Sequence, residues 1–269
     1  MSHSPTHTTT PEKEASRYSK RNILRSERMY GTGFNSSGGT ESIEFFCQDV
    51  PLAQGMSVLD IGCGSGGTAF YFAEKYNATV VGMDYAADAI ALSQDRLREQ
   101  SHLPITFEQG DIQTTDLGRD RFDLIWCRDV FIYLQDKSKG WRNIYNALKP
   151  GGYFVYSDFC KGDSNLSPEF REHLEMCNYH AWTIAQSCDL MREIGFEVVD
   201  SKNLSLWLAE NFQADLHKLE QNREAFLQEF GEEEYQHLTS RWQVKIRYCQ
   251  QDDLVQGLII ATKREFEIS

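Results

Sequence analysis

No apolar run in this chain approaches the roughly 20 residues that a membrane-spanning helix needs. The opening segment, MSHSPTHTTTPEKE, lacks the apolar stretch of a secretory signal. Cysteine is present but unpatterned. Cys47, Cys63, Cys127, Cys160, Cys177, Cys188 and Cys249 are odd in number and scattered, and they include no CxxC pair. A disulfide framework or a zinc site is therefore not expected, no metal is predicted, and a reducing, cytoplasmic setting fits best. Positive charge is in short supply: 27 Lys and Arg stand against 40 Asp and Glu, for a net charge of -13. That balance argues against a nucleic-acid partner and against an anionic membrane surface. No internal repeat is visible, and nothing points to an obligate protein partner.

What is present is ordinary globular material, 41% hydrophobic and 25% charged. At 269 residues the chain can bury a core without covalent staples. Residues 1–13, rich in Ser, Thr, His and Pro, are predicted to be a disordered tail, and 14–269 a single domain. A helical pattern runs from Ala15 to Tyr30, is broken by Gly31 and Gly33, and resumes from Thr40 to Cys47 after NSSGGTES. Strands are then predicted at Ser57–Ile61, Thr79–Met83, Ile105–Gln109, Phe122–Cys127 and Gly152–Ser157, with helices between them through Tyr76, over Ala86–Gln100 and around Lys137–Leu148. This alternation predicts an α/β fold of Rossmann-like form, a mostly parallel sheet with helices on both faces. The second half changes character. Residues 160–195 read as mainly helical, Phe196–Lys202 as a strand, and Leu204 to about Tyr248 as a long helical stretch interrupted at EFGEEEY. A final apolar strand at Leu254–Thr262 completes the sheet after this helical insertion.

Val58–Gly67, VLDIGCGSGG, lies where the first strand turns into a helix. Gly62, Gly64 and Gly67 allow a tight turn and close approach of a ligand. Asp84, about 20 residues on, can accept both hydroxyls of a ribose. On spacing alone this fits a dinucleotide such as NAD. Three features favour S-adenosyl-L-methionine instead. Asp60 precedes the first glycine, where a carboxylate can face a cationic ligand. EQGDI ends in Asp111 and Ile112, suited to an adenine amine and ring. FDLIW runs directly into Cys127, Arg128 and Asp129. In this setting Cys63 is a small apolar filler. The ordered set, closing with KPGGYFVYSD, resembles the class I methyltransferases over about residues 56 to 160.

Tyr18–Gly39, YSKRNILRSERMYGTGFNSSGG, is similar to the N-terminal lid of the phosphoethanolamine N-methyltransferases, and SRWQVKIRYCQQDDLVQGLIIATK to their ending. The resemblance implies an N-methyltransferase for a small amine, with residues 14–48 as lid and acceptor-binding helices within 160–250. It implies that Tyr18 closes over cofactor and amine, that Asn35, Ser36, Gly62, Asp84, Tyr85, Asp111, Ile112 and Arg128 line the cofactor, and that Asp129 faces the acceptor nitrogen. Tyr179 and Lys245 are implied at the anionic end. Three positions depart from the family. Tyr133 stands where it has a histidine, Cys177 where it has an arginine, and Phe159 where it has a tyrosine. These departures imply that phosphoethanolamine is a poor acceptor unless a base such as Arg241 or Arg247 turns inward, and they admit an amino acid or an imidazole-bearing metabolite.

Ordinary structural roles compete with several of these assignments. Tyr18 and Tyr133 suit packing, Asp129 suits a helix cap, and Lys245 on a solvated helix suits the surface. Trp182, Trp207 and Trp242 suit core packing rather than a cage for a methylated ammonium. Two other classes compete with the enzyme: an NAD-dependent oxidoreductase, which Asp60 and the GDI turn disfavour, and a non-catalytic S-adenosylmethionine-binding module, which the lid with Tyr18 and Asp129 disfavours.

Overall fold

A computed structural model describes residues 18–264. The expected tail and the predicted start of the first helix at Ala15 lie outside the described residues. The chain begins with α1 (Lys20–Tyr30) and α2 (Gly39–Phe46). The alternating half follows as β1 (Ser57–Ile61), α3 (Gly67–Tyr76), β2 (Thr79–Asp84), α4 (Ala87–Glu99), β3 (Ile105–Gln109), β4 (Phe122–Arg128), a 3-10 turn at Phe131–Tyr133, α5 (Ser138–Ala147) and β5 (Leu148–Lys161). Then come α6 (Pro168–Cys177), α7 (Ile184–Ile194), β6 (Phe196–Asn203), α8 (Ser205–Gln221), α9 (Arg223–Phe230), α10 (Glu232–Gln250) and β7 (Leu254–Lys263).

Among the described residues seven strands form one sheet in the order β3-β2-β1-β4-β5-β7-β6. β3, β2, β1, β4 and β5 are parallel, and β7 runs antiparallel between β5 and β6. The period of two along a strand divides the core. Val58, Leu124, Trp126 and Val155 pack on one face, whereas Leu59, Ile125, Phe154 and Tyr156 pack on the other. Both faces are covered, and the inner parallel strands β1 and β4 are buried along most of their length. A third cluster joins α8, α9 and α10 to Met29 of α1 and Phe170 of α6.

Side-chain caps set the starts of α6 and α7. The Ser167 hydroxyl accepts from Phe170 N at 3.2 Å, with Pro168 at the first helical position. Thr183 and Gln186 form a reciprocal capping box. The stretch expected as mainly helical over 160–195 is instead the end of β5 and two helices joined by a loop. β5 extends well past the expected Ser157 because β7 pairs with it from Tyr153 to Lys161. The long helical stretch divides into three, with breaks at Asn222 and at Gly231, where φ is 90°.

Neighbouring β1 and β4 are the point where the strand order reverses. Loops leaving their carboxyl ends diverge there and open a crevice. Their approach is close: a Cβ on Gly62 would lie 2.2 Å from Val130 Cγ2. Gly62, at φ 73°, therefore admits no side chain.

Candidate active site

A cavity of about 550 Å³ opens outside the carboxyl ends of these strands and is walled on its far side by α1, α8 and α10. Its lining contains Tyr18, Asn35, Ser36, Gly62, Gly64, Asp84, Tyr85, Asp111, Ile112, Arg128, Asp129, Tyr133, Phe159, Tyr179 and Lys245. Residues separated by more than 220 positions in sequence thus meet at one place.

At the strand end, Gly62 N and Cys63 N both donate to Met83 O, at 2.8 and 3.1 Å. The Asp84 carboxylate is fixed by two backbone donors, Gly64 N and Ala86 N, each at 2.8 Å. Burial nonetheless pushes its pKa up, against those two bonds. Asp111 accepts from Gln113 N at 2.8 Å, and Ile112 beside it is buried. Asn35 rests against the glycine turn, where a Cβ on Gly64 would come within 2.8 Å of its Nδ2. Its buried Oδ1 has no hydrogen-bond partner among the described residues. A fixed carboxylate for a diol, a second for an amine, an apolar surface for a ring and an orphaned acceptor for an ammonium together fit a nucleoside that carries an amino-acid tail.

Asp129 lies across the crevice with φ 56°, a conformation uncommon for a residue with a side chain. Its Oδ2 accepts from Ser36 Oγ at 2.7 Å and its Oδ1 from Gln256 Nε2 at 3.1 Å. Arg128 Nε lies 3.4 Å from Oδ2 at ion-pair distance, without making a hydrogen bond. The rest of the Arg128 guanidinium donates to Ser42 Oγ and Ser37 O, both at 2.6 Å. The carboxylate is thus pinned from three sides and orients into the cavity; it does not cap a helix. Tyr18, Tyr133 and Tyr179 form a run of edge-on rings, with centroids 6.2 Å and then 5.5 Å apart.

The far wall is basic. Lys245 does not lie on the surface. Its ammonium sits over the rings of Phe159 at 4.8 Å and Phe212 at 5.5 Å. Burial, with repulsion from Arg241, pushes its pKa down to about 8. Arg241 lines the cavity, whereas Arg247 points away and pairs with Glu169 at 2.5 Å.

Two expectations are corrected by this arrangement. Asp60 does not face the cavity. It is buried beneath the glycine turn, where burial and the nearby Asp84 raise its pKa to about 8. Cys177 is outside the lining, at the end of α6, with Sγ 3.7 Å from His173 Nε2. The three tryptophans do not converge either. Trp242 donates to Tyr30 Oη at 3.2 Å, Trp207 stacks near Phe45 and Phe46, and Trp182 meets Trp141. Cys63 is buried, as expected of a filler.

Some residues at the site carry little local signal. Gln256 is a polar residue in the middle of an apolar strand, fully buried, and it also donates to Ser157 Oγ at 2.7 Å. That polar interruption of LVQGLIIATK is the one clue to it. Glu27 of α1 grips Arg96 of α4 with two bonds of 2.7 Å, and accepts from Gly33 N at 3.0 Å. Nothing in the sequence pairs those two charges.

Comparison with known proteins bears on the family of the chain. Residues 52–231 match the family described as "Methyltransferase domain". Phosphoethanolamine N-methyltransferase 1 of Arabidopsis thaliana is 33% identical over 246 residues, 91% of this chain and 50% of that protein. The Plasmodium falciparum phosphoethanolamine N-methyltransferase is 30% identical over 253 residues, 93% of this chain and 94% of that protein. A solved structure of Haemonchus contortus phosphoethanolamine N-methyltransferase 2, in complex with phosphomonomethylethanolamine and S-adenosylhomocysteine, superimposes with a TM-score of 0.89 at 26% identity, covering 93% of this chain and 59% of that one. The fold is that of the S-adenosylmethionine-dependent class I methyltransferases. Within that class the chain belongs to the phosphoethanolamine N-methyltransferase family. It spans about half the length of the plant relatives it matches.

Proposed function

We propose that this chain methylates the nitrogen of a small amine that also carries an anionic group, using S-adenosylmethionine. The observation that carries this reading is the pinned Asp129 carboxylate, facing a cavity whose opposite wall holds Lys245 and Arg241. Acid at one end and base at the other suit an acceptor with its amine toward the strands and its anion toward α10. S-adenosylmethionine supplies an electrophilic methyl carbon. The protein aligns the acceptor nitrogen with that carbon and excludes water.

The acceptor needs a free lone pair, so an ammonium must first lose its proton. Asp129 can accept an N–H bond from the amine and orient it, because Ser36 and Gln256 already fix both its oxygens. Tyr18 stands beside Tyr133 at the same end and is assigned as the hydroxyl that closes over the amine. A histidine titrates near neutrality and a phenol does not. With Tyr133 in the histidine's place, proton loss through water is expected, with turnover rising toward alkaline pH. Supporting the altered-pocket reading, Phe159 offers a ring to Lys245 where a tyrosine would offer a hydroxyl, and Cys177 lies outside the lining. An amino acid or imidazole-bearing amine is the second reading, favoured by that apolar surface.

The test is a turnover screen of phosphoethanolamine, ethanolamine, amino acids and imidazole-bearing amines, read as S-adenosylhomocysteine formed. Methylation of at least one anionic amine is expected, with N-methyl product identified by mass. Binding of S-adenosylmethionine without turnover on any of them would instead favour a non-catalytic binding module.

A further inference from the structure

We propose that Lys137 is a positioning residue for methyl transfer: its buried ammonium ties down both ends of the Phe131–Tyr133 turn and so sets where the Tyr133 ring stands at the amine end of the cavity. The effect on turnover rests on the methyl-transfer reading; the placing of the ring does not.

Lys137 immediately precedes α5 and is only 2% exposed, which is rare for a lysine. Its Nζ donates to Phe131 O and to Leu134 O, the second at 3.1 Å. The 3-10 turn ends at Leu134, which is extended (φ -97°, ψ 121°), so no further turn of helix supplies N–H groups to its last carbonyls. A lysine side chain near a helix C-terminus can take that role. Here it comes from three residues past Leu134 and folds back on the turn. The middle carbonyl is held from another side, where His180 N donates to Ile132 O at 2.7 Å. Trp182, two residues on, faces the Lys137 ammonium at 5.6 Å, and its carbonyl accepts from Lys161 N at 3.1 Å. The turn is therefore fixed against β5 and the loop between α6 and α7 together. Tyr133 is the last residue of the turn and Tyr179 lies in that loop. One frame thus carries two of the three rings in the run that begins at Tyr18.

A side chain that merely filled this space would be apolar, because an ammonium is costly to take out of water. Nor is Lys137 there to neutralise a carboxylate by contact. Asp158 attracts it from a distance, and the two make no ion pair among the described residues. The Asp158 oxygens accept instead from Phe159 N at 2.8 Å and Tyr156 Oη at 3.0 Å. The hydrogen bonds of the buried ammonium go to the carbonyls of a single turn. They fix a backbone, and that backbone fixes an aromatic ring that faces the cavity.

The test combines spectroscopy and kinetics on the full chain. With 3-fluorotyrosine incorporated throughout, the Tyr133 fluorine resonance is assigned by its loss in Tyr133→Phe. In Lys137→Met that resonance is expected to shift or broaden, while those of Tyr71 and Tyr235, which pack in other clusters, stay in place. Lys137→Arg, which keeps the charge and the donors, is expected to return part of the change. Calorimetric affinity for S-adenosylmethionine is expected to be unchanged in Lys137→Met, whereas kcat for the best amine of the screen falls on the order of 10- to 100-fold, the cost of misplaced groups around the reacting atoms. In a Tyr133→Ala background Lys137→Met is expected to cost little more, because both changes act through one ring. Lys137→Gln, which keeps a donor, replaces Lys137→Met if the latter does not fold. A Tyr133 resonance left in place, equal costs with and without the Tyr133 ring, or a loss of cofactor affinity that matches the loss in kcat would each overturn the proposal. If no amine in the screen is methylated, the methyl-transfer reading fails, and the fluorine spectrum still decides whether Lys137 places the ring.

Discussion

Asp84 holds its place through two backbone bonds and leaves its remaining lone pairs toward the cavity. Asp84→Ala is expected to weaken S-adenosylmethionine binding by about 2 kcal/mol, since charge-assisted bonds are worth about 1.5–3 kcal/mol and water replaces part of them. Calorimetry with S-adenosylmethionine checks this, and unchanged affinity would remove the residue from the site. Tyr18→Phe keeps the ring against Tyr133 and removes only the hydroxyl. Turnover is expected to fall by about tenfold or more if that hydroxyl orients the amine or relays its proton. An unaffected rate with the true acceptor would make the tyrosine a packing residue. Lys245 gives a pH test with a definite sign. Its pKa is lowered to about 8, chiefly by burial and then by Arg241, so the ammonium is intact below pH 8 and lost above it. Affinity for an anionic acceptor is therefore expected to fall as pH rises through about 8, and Lys245→Met to abolish that limb. An anion bound in the site favours the charged form, so the inflection belongs to the unliganded protein.

At the scale of elements, α1 reaches the glycine turn through Glu27. That carboxylate joins Arg96 on α4, Ser65 Oγ in the turn and Gly33 N. Gly67 N donates to Gly33 O at 3.1 Å, and a Cβ on Gly33 would lie 2.6 Å from Gly67 Cα. Arg96→Ala leaves Glu27 nearly buried without its cation, and a loss of stability on the order of 2–3 kcal/mol is expected. Thermal unfolding and hydrogen exchange across Lys20–Tyr30 check it: α1 should exchange faster than the sheet. The glycine turn and the parallel strands were legible in the sequence because strands covered on both faces are mostly apolar, and a turn that admits no Cβ demands glycine. Asp84 and Asp129 were legible because one ends its strand and the other follows its strand at once. The direction of Lys245 was not, since an amphipathic helix shows its period but not which charged residue a facing element covers; here α8 and β5 place Phe212 and Phe159 over it. The length of β5 was equally hidden, because its added residues are set by pairing with β7, about a hundred positions away. Asp60 misled for a related reason. Its spacing to the glycines is local, but the packing that buries it beneath them is not.

Over the whole molecule, the segments that complete the site come from opposite ends of the chain. Ser36 and Gln256 hold the two oxygens of Asp129 from 93 residues before it and 127 residues after it. Gln256→Leu is expected to leave the sheet paired, because backbone bonds hold β7, while releasing one side of the carboxylate. Turnover should fall by more than unfolding temperature does, and equal losses in both would make Gln256 a purely structural residue. β7 is the last strand among the described residues and yet an inner strand of the sheet, between β5 and β6. During synthesis on a ribosome, β5 therefore emerges with an unsatisfied edge and waits through about ninety residues of helix and strand before its partner arrives. Until then β6 has no strand beside it, only the helix α7 packed against it, and the exposed edge invites pairing with another chain. Nascent chains halted before Leu254 are for this reason the forms most in need of a chaperone, and a protease added during translation should cut residues 196–203 until that last strand has left the tunnel.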